Sequence, residues 1–251
     1  MRALRLIFFA ALASAPCTAR AAQQTVRFST ADGCSLEAFY LAPSTGSRVF
    51  INAHGLGSDK NEWAPFQDAL RQRGLGYLSI DLRGHGRSLK CADKEVSYRA
   101  FSKADWNALS RDIEAAAAWL KKKKIPPAEM VFCGASIGAN LSLKAAAEGT
   151  IKPAAVVLLS AGLEYAGVKT ERNYAAAQPA RILMAASEDD AYAWQSGNYL
   201  AATAAAKGLP VAFLAGPGGH GVNMFKGPEL MTGIINWVLD SKKPAAGTNK
   251  N

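Results

Sequence analysis

The chain has 251 residues, of which 49% are hydrophobic and 20% charged, with 22 Gly and 11 Pro. That composition describes a globular protein with enough apolar material for one substantial core, and it excludes a collagen-like chain, a coiled coil and wholesale disorder. The formal net charge of +9 could attract nucleic acid or anionic surfaces, but the basic residues are scattered apart from Lys121-Lys122-Lys123-Lys124. That tetrad closes an amphipathic segment just ahead of Pro126-Pro127, where cations meet the negative end of a helix dipole and proline prevents continuation. It reads as a helix terminus, and no nucleic-acid partner is expected.

The first 21 residues read as a secretory signal. Arg2 and Arg5 precede the apolar run from Leu6 to Ala13, and Ala19-Arg20-Ala21 supplies small residues at the alternate positions of a cleavage site. The run falls short of the roughly 20 residues that span a bilayer, so a permanent membrane anchor is not expected. Pro16 before Cys17 fits poorly with lipoprotein processing. Cleavage after Ala21 removes Arg2, Arg5 and Arg20 and leaves a chain that is still basic. The expected location is exported, periplasmic or extracellular, where disulfides are permitted. Cys34 and Cys91 lie in polar, turn-like stretches and are candidates to pair, although their separation in space is invisible in the sequence; Cys133, in an apolar run, reads as a buried free thiol. No CxxC, histidine cluster or carboxylate triplet suggests a metal, and no cofactor is expected.

Beyond the signal, no linker, repeat or Pro-rich run divides the chain, so residues 22–240 form one expected domain and the polar residues 241–251 a tail. Short apolar runs at 36–41, 49–53, 77–81, 130–134, 154–160, 182–186 and 211–215 have strand character. Their near-continuous apolarity fits strands buried on both faces. Helical spacing lies between them: Trp63, Phe66 and Leu70; then Trp106, Leu109, Ile113, Ala116, Ala117 and Leu120; and, near the end, Ile234, Ile235, Trp237 and Val238. Strands regularly separated by helices predict an α/β fold with helices on both faces of a mostly parallel sheet.

Candidate chemistry gathers where these strands end. Gly134-Ala135-Ser136-Ile137-Gly138 follows one strand and precedes a helix-compatible run, so Ser136 sits on a sharp strand-to-helix turn that projects its hydroxyl. The pattern alone is common and could be a Gly-rich turn with a capping serine; the strand before it and the helix after it favour a nucleophile. A serine hydroxyl needs a general base. Of the three histidines, His54 and His85 precede the nucleophile, whereas His220 follows the last strand in Gly218-Gly219-His220-Gly221. The base needs a carboxylate, and Glu188-Asp189-Asp190 ends another strand; Asp190 is the first choice and Asp189 the reserve. An oxyanion site needs aimed backbone N–H groups, which Leu56 in His54-Gly55-Leu56-Gly57 and Ile137 after the nucleophile can supply. His54 then reads as structural, its imidazole bonded to loop backbone.

Together these motifs resemble the α/β-hydrolase superfamily. The oxyanion stretch at 52–57, the loop Asp81-Leu82-Arg83-Gly84-His85-Gly86-Arg87-Ser88, the elbow at 134–138 and the terminal Gly219-His220-Gly221 occur in the family's order, over roughly residues 25 to 240. The resemblance implies a mostly parallel sheet of roughly eight strands with Arg83 and His85 organising loops rather than acting chemically. Only residues 161–180 separate the strand after the elbow helix from the next, which leaves no room for a large cap, as in compact esterases and dienelactone-hydrolase-like members. The dienelactone type uses a cysteine nucleophile, whereas this chain has Ser136. Residues 89–103 are polar and would border the entrance. The implied activity is hydrolysis of small carboxylic esters through an acyl-enzyme, without cofactor. A lysophospholipase, thioesterase or peptidase using the same residues is the nearer alternative and a non-catalytic exported binding protein the farther one.

Overall fold

A computed structural model describes residues 22–177, 181–210 and 212–240. The signal segment, Cys17 and the tail at 241–251 lie outside the described residues. The chain enters through β1 (Gln24–Ser29) and β2 (Cys34–Leu41), an antiparallel pair in which Thr25 faces Phe39. It continues through β3 (Val49–Ala53), α1 (Ala64–Gln72) and β4 (Gly76–Ile80). A small hairpin, β5 (Lys90–Cys91) and β6 (Lys94–Glu95), leads to α2 (Lys103–Ala108) and α3 (Ser110–Lys122). Then come β7 (Met130–Ala135), α4 (Ile137–Glu148), β8 (Ala155–Leu159), the hairpin β9 (Glu164–Tyr165) and β10 (Val168–Lys169), and α5 (Glu171–Ala176). The chain closes with β11 (Arg181–Ala186), α6 (Ala191–Ala206), β12 (Phe213–Ala215) and α7 (Pro228–Leu239).

The main sheet has the order β12-β11-β8-β7-β3-β4-β2-β5-β6, with β1 on β2. From β4 to β12 every pairing is parallel. The antiparallel pairings all involve the β1, β2, β5 and β6 end. Eight longer strands plus the β5–β6 hairpin thus make up the expected α/β sheet. Strand composition alternates between its two faces: Phe132, Val156, Leu158, Ile182 and Met184 join one core with α3 and α4, while Val131, Cys133, Val157, Leu183 and Ala185 join the other with α1 and α7. Both faces being covered is why these strands read as unbroken apolar runs.

The structure differs from the sequence reading in two places. β1 was not expected; its residues are exposed or half-buried because it lies at the antiparallel margin. The spacing from Trp106 to Leu120 spans two helices, since α2, with its Ser102–Asp105 capping box, breaks from α3 at Leu109; all six residues still bury in one core. As expected, the described residues of the 161–180 segment hold the β9–β10 hairpin and α5, and among the described residues no large cap covers the sheet. The lysine tetrad does terminate α3: Lys124 takes φ +65°, Ile125 N–H bonds back to Leu120 O at 3.1 Å, and Lys123 Nζ lies over the Trp119 ring.

β3 and β7 are neighbours, yet β4 lies beyond β3 on one side and β8 beyond β7 on the other, so the sheet order reverses between them. Loops leaving β3 and β7 therefore diverge over a crevice at their carboxyl ends, the usual place for a ligand in such sheets. The packing that closes this junction is backbone on backbone. A methyl built on Gly138 would lie 2.2 Å from Ala53 O, and one on Gly134 would lie 2.1 Å from Gly138 O.

Cys34 and Cys91, cross-strand partners on β2 and β5, form a disulfide, and Cys133 is a buried free thiol. Removing the bridge with Cys34→Ala and Cys91→Ala together is expected to cost about 2–4 kcal/mol. Thermal unfolding with and without reductant checks this, because the wild type should lose stability on reduction and the double variant should not respond. Gly138→Ala should fail to give a folded protein by near-ultraviolet circular dichroism. Gly233→Ala on α7, whose methyl would meet only Leu214 at 3.5 Å, should instead stabilise by about 0.5–1 kcal/mol.

Candidate active site

Ser136 stands between β7 and α4 with φ +56° and ψ −124°, a left-handed conformation that costs a non-glycine residue of order 1–3 kcal/mol. Its own amide donates to Leu159 O at 2.8 Å, and α4 starts immediately after it. The glycines two residues away on each side make room for this turn, as the clashes above show. Ser136 is half-buried.

His220 lies on the loop between β12 and α7. Its Nδ1 is 2.6 Å from Asp190 Oδ2, and its side chain is 43% exposed against 14% for Asp190. Asp190 precedes α6 without capping it through its side chain, which leaves the carboxylate to the imidazole. Asp189 is used differently. Both its oxygens accept the Gly219 N–H at 3.0 Å, and Ser187 Oγ bonds Asp189 Oδ1 at 2.5 Å. The Ser187 hydroxyl, then the Gly219 amide, hold the Asp189 carboxyl below its ordinary range.

The histidine loop is clamped on both sides. The Ser187 hydroxyl shares its one hydrogen between Asp189 Oδ1 and Gly219 O, 2.7 Å from the latter, and Ser160 Oγ accepts Gly221 N–H at 2.9 Å. Ser160, at the end of β8 with φ +50°, has its own amide bonded to Ala185 O. A methyl on Gly221 would lie 3.3 Å from Ala135 Cβ and 4.0 Å from Ser136 N, so the clamps seat the residue after His220 directly against the elbow. Tyr165 on β9 faces the imidazole edge-on with ring centroids 6.3 Å apart, and its hydroxyl donates to Ser160 O. Burial pushes the Tyr165 phenol up, and the Asp190 charge adds to that. The hairpin bearing Tyr165 is itself tied to the elbow helix: Asn140 Nδ2 donates to Gly162 O at 3.0 Å and Val168 O at 2.8 Å.

The second loop comes from β3. A methyl on Gly55 would sit 3.5 Å from Ser136 Cβ, which places this turn over the nucleophile. His54 is fully buried, and burial lowers its pKa to about 3, so the ring is neutral. Nε2 accepts Leu82 N–H at 3.1 Å, which leaves the Nδ1 hydrogen for Gly55 O at 2.7 Å. Gly55 O also accepts from Ser58 N–H. Because the C=O and N–H of a trans peptide point in opposite directions, fixing Gly55 O fixes the direction of the Leu56 N–H. Among the described residues neither the Leu56 nor the Ile137 amide is given to a protein acceptor. Glu62, absent from the sequence reading, accepts the Gly55 N–H with Oε1 at 3.0 Å. It stands in the acid- and amide-rich stretch Asp59-Lys60-Asn61-Glu62, whose ordinary reading is charge at a helix start; only its distance from the oxyanion stretch hinted otherwise.

Arg83 and His85 hold loops. Arg83 bonds Asp112 through Nε at 2.7 Å and Asp32 through both terminal nitrogens, while its amide also donates to Asp112. His85 stacks on Tyr98 at 4.2 Å and bonds Arg83 O. The 89–103 segment borders a cavity of about 470 Å³ beside the oxyanion stretch, lined by Gly57, Ser58, Leu89, Tyr98 and Arg99 among others. Among the described residues no group of three His, Cys, Asp or Glu side chains could hold a metal ion, and no helix is long and apolar enough to cross a membrane.

A comparison with curated proteins finds no match. Among solved structures, the Pyrococcus furiosus esterase Pf2001 superposes with a TM-score of 0.70 at 17% identity, covering 90% of this chain and 92% of that one. The dienelactone hydrolase of Anabaena variabilis gives 0.63 at 18% identity, over 87% and 95%. The acylaminoacyl peptidase of Pyrococcus horikoshii gives 0.68 at 13% identity, covering 94% of this chain but 43% of that one. At such identities the likeness is one of fold. A sequence profile described as the alpha/beta hydrolase family, however, matches residues 49–238, which include both loops and the elbow. With that match over most of its length, the chain belongs to the alpha/beta hydrolase family.

Proposed function

We propose that this hydrolase cleaves small carboxylic esters with Ser136 as nucleophile, His220 as base and Asp190 as the acid that orients it. The observation that carries the reading is the 2.6 Å contact between His220 Nδ1 and Asp190 Oδ2 on a loop packed against the Ser136 elbow. Asp190 accepting the Nδ1 hydrogen leaves Nε2 free for a proton from serine. Ser136 Oγ attacks the ester carbonyl carbon as its proton passes to Nε2, and the carbonyl oxygen becomes an anion held by the Leu56 and Ile137 amides. The tetrahedral intermediate collapses, the C–O bond to the alcohol breaks, and Nε2 returns the proton to that leaving oxygen. Water, deprotonated by the same nitrogen, then attacks the acyl-enzyme and releases the acid and free Ser136.

Two structural neighbours are named esterase and dienelactone hydrolase, which supports an ester bond as target. The absence of a large cap supports a small substrate with open access. The Cys34–Cys91 disulfide supports the export reading of the first 21 residues, since such bridges persist in oxidising compartments. The peptidase neighbour keeps an amide-cleaving alternative in the test.

Chromogenic esters of increasing acyl length, a thioester and an aminoacyl amide should be assayed with wild type and Ser136→Ala in parallel. The ester turnover of wild type should exceed that of Ser136→Ala by on the order of 10⁶; equal rates would reject the mechanism, and preference for the amide would reassign the substrate. A serine-directed phosphonate should label Ser136 in the folded protein, whereas no adduct would favour a binding protein. Asp190→Asn should lower kcat by about 10⁴. Asp189→Asn should keep activity to within about tenfold, because it loses only charge on bonds to Gly219.

A further inference from the structure

Glu62 belongs to a short 3-10 turn, Lys60–Trp63, that follows the β3 loop and turns its side chain back beneath it. Oε1 takes the Gly55 N–H at 3.0 Å. A methyl built on Gly55 would lie 3.9 Å from Glu62 Oε2 and 3.5 Å from Ser136 Cβ, so the carboxylate and the nucleophile flank one glycine. The carboxyl is partly buried. Burial raises its pKa, against bonds from the Ser58 hydroxyl and the Gly55 amide and against the attraction of His220.

Gly55 joins two peptide planes. The one after it, which carries the Leu56 N–H, is held through Gly55 O by His54 and Ser58. The one before it has a single protein partner on its N–H side, and that is Glu62. Glycine has wide backbone freedom on either side of its Cα, so the plane that His54 and Ser58 hold through Gly55 O keeps its place, and the Leu56 N–H its aim, best when the Gly55 backbone is also held on its N–H side.

Building on the serine-hydrolase reading, we propose that Glu62 is a positioning residue for the oxyanion site: by holding the Gly55 amide it locks the first plane and keeps the Leu56 N–H aimed before substrate arrives. What the role requires is an acceptor at that reach. Glutamine can supply one with its carbonyl oxygen; methionine of similar length cannot, and aspartate retains the charge but withdraws it by one methylene.

The test is kcat and KM of Glu62→Gln, Glu62→Met and Glu62→Asp on the best chromogenic ester, with the fold of each checked by near-ultraviolet circular dichroism. Glu62→Gln should stay within about threefold of wild type. Each folded variant of the other two should lose about 10–100-fold in kcat with KM changed by less than about threefold, short of the 10²–10³ that follows deletion of an oxyanion donor. Methionine and aspartate withdraw the acceptor independently, so one folded variant suffices. Wild-type kcat in either, an equal loss in Glu62→Gln, or a loss expressed in KM would overturn the proposal. Failure of wild type to react with a phosphonate at Ser136 would sink the hydrolase reading itself; normal labelling with unaffected Glu62→Met would sink only the role of Glu62.

Discussion

The site rests on one steric constraint: β3, β7 and α4 meet with no side chain between their backbones. Gly138 packs against Ala53 and His54 carbonyls, and Gly134 packs against Gly138. With the parallel β3–β7 ladder, this approach sets the end of β3 beside the elbow, at the point where the sheet order reverses. Ser136 then has no room for an ordinary helical or extended turn and is driven to φ +56°. The strain is held by the hydrogen bond from Ser136 N–H to Leu159 O and by the helix starting behind it. A conformation that would be unfavourable in isolation becomes the only one compatible with the packed junction.

Around that fixed point the loops are held by polar groups of two kinds. Buried charges secure the loop after β4: Lys60 Nζ pairs with Asp81 at 2.7 Å and Glu37 at 3.0 Å, and Arg83 bridges Asp112 and Asp32. Burial alone would draw the Lys60 ammonium down, but its bonds to Asp81 and Glu37 outweigh that and raise its pKa. Removing one partner from such a set leaves an uncompensated charge, which makes these residues sensitive to substitution without giving them chemistry. The loops that touch the nucleophile are held by neutral or peptide-directed bonds instead: His54 on Gly55 O, Ser160 on Gly221 N, Ser187 on Gly219 O. Two carboxylates join them, Asp189 on the Gly219 N–H and Glu62 on the Gly55 N–H, and each is spent on a backbone amide, which leaves Asp190 as the carboxylate bonded to the His220 ring.

Much of this was legible in the sequence, and the reasons differ from element to element. The central strands could be read because burial on both faces makes every position apolar, and Val49–Ala53 matches to the residue. The elbow could be read because its glycines are demanded by backbone contact, which no other residue satisfies. His220 was singled out by scarcity and by position after the last strand. The break at Leu109 was hidden because both helices press the same face into one core, so the apolar spacing continues across it. β1 was hidden because only Val26 and Phe28 of its residues pack on the core, too short an apolar pattern to stand out. Cys34 and Cys91 are 57 residues apart, and their pairing depends on register between β2 and β5.

Asp190 was the first choice and does meet the His220 ring, but the roles of Glu62 and Asp189 were hidden for a common reason. In each case a carboxylate's role is set by which backbone amide or imidazole it meets after the loops have closed, and adjacent acids are equivalent until then. Asp190, immediately before α6, reaches across to the ring of His220, whereas Asp189, one residue earlier, meets the Gly219 amide of the same loop. The two acids therefore hold the ring and the backbone of one segment together, so that moving either loop displaces both. Composition marks such a cluster as acidic; only the fold distributes its members between orienting the imidazole and fixing the peptide that carries it.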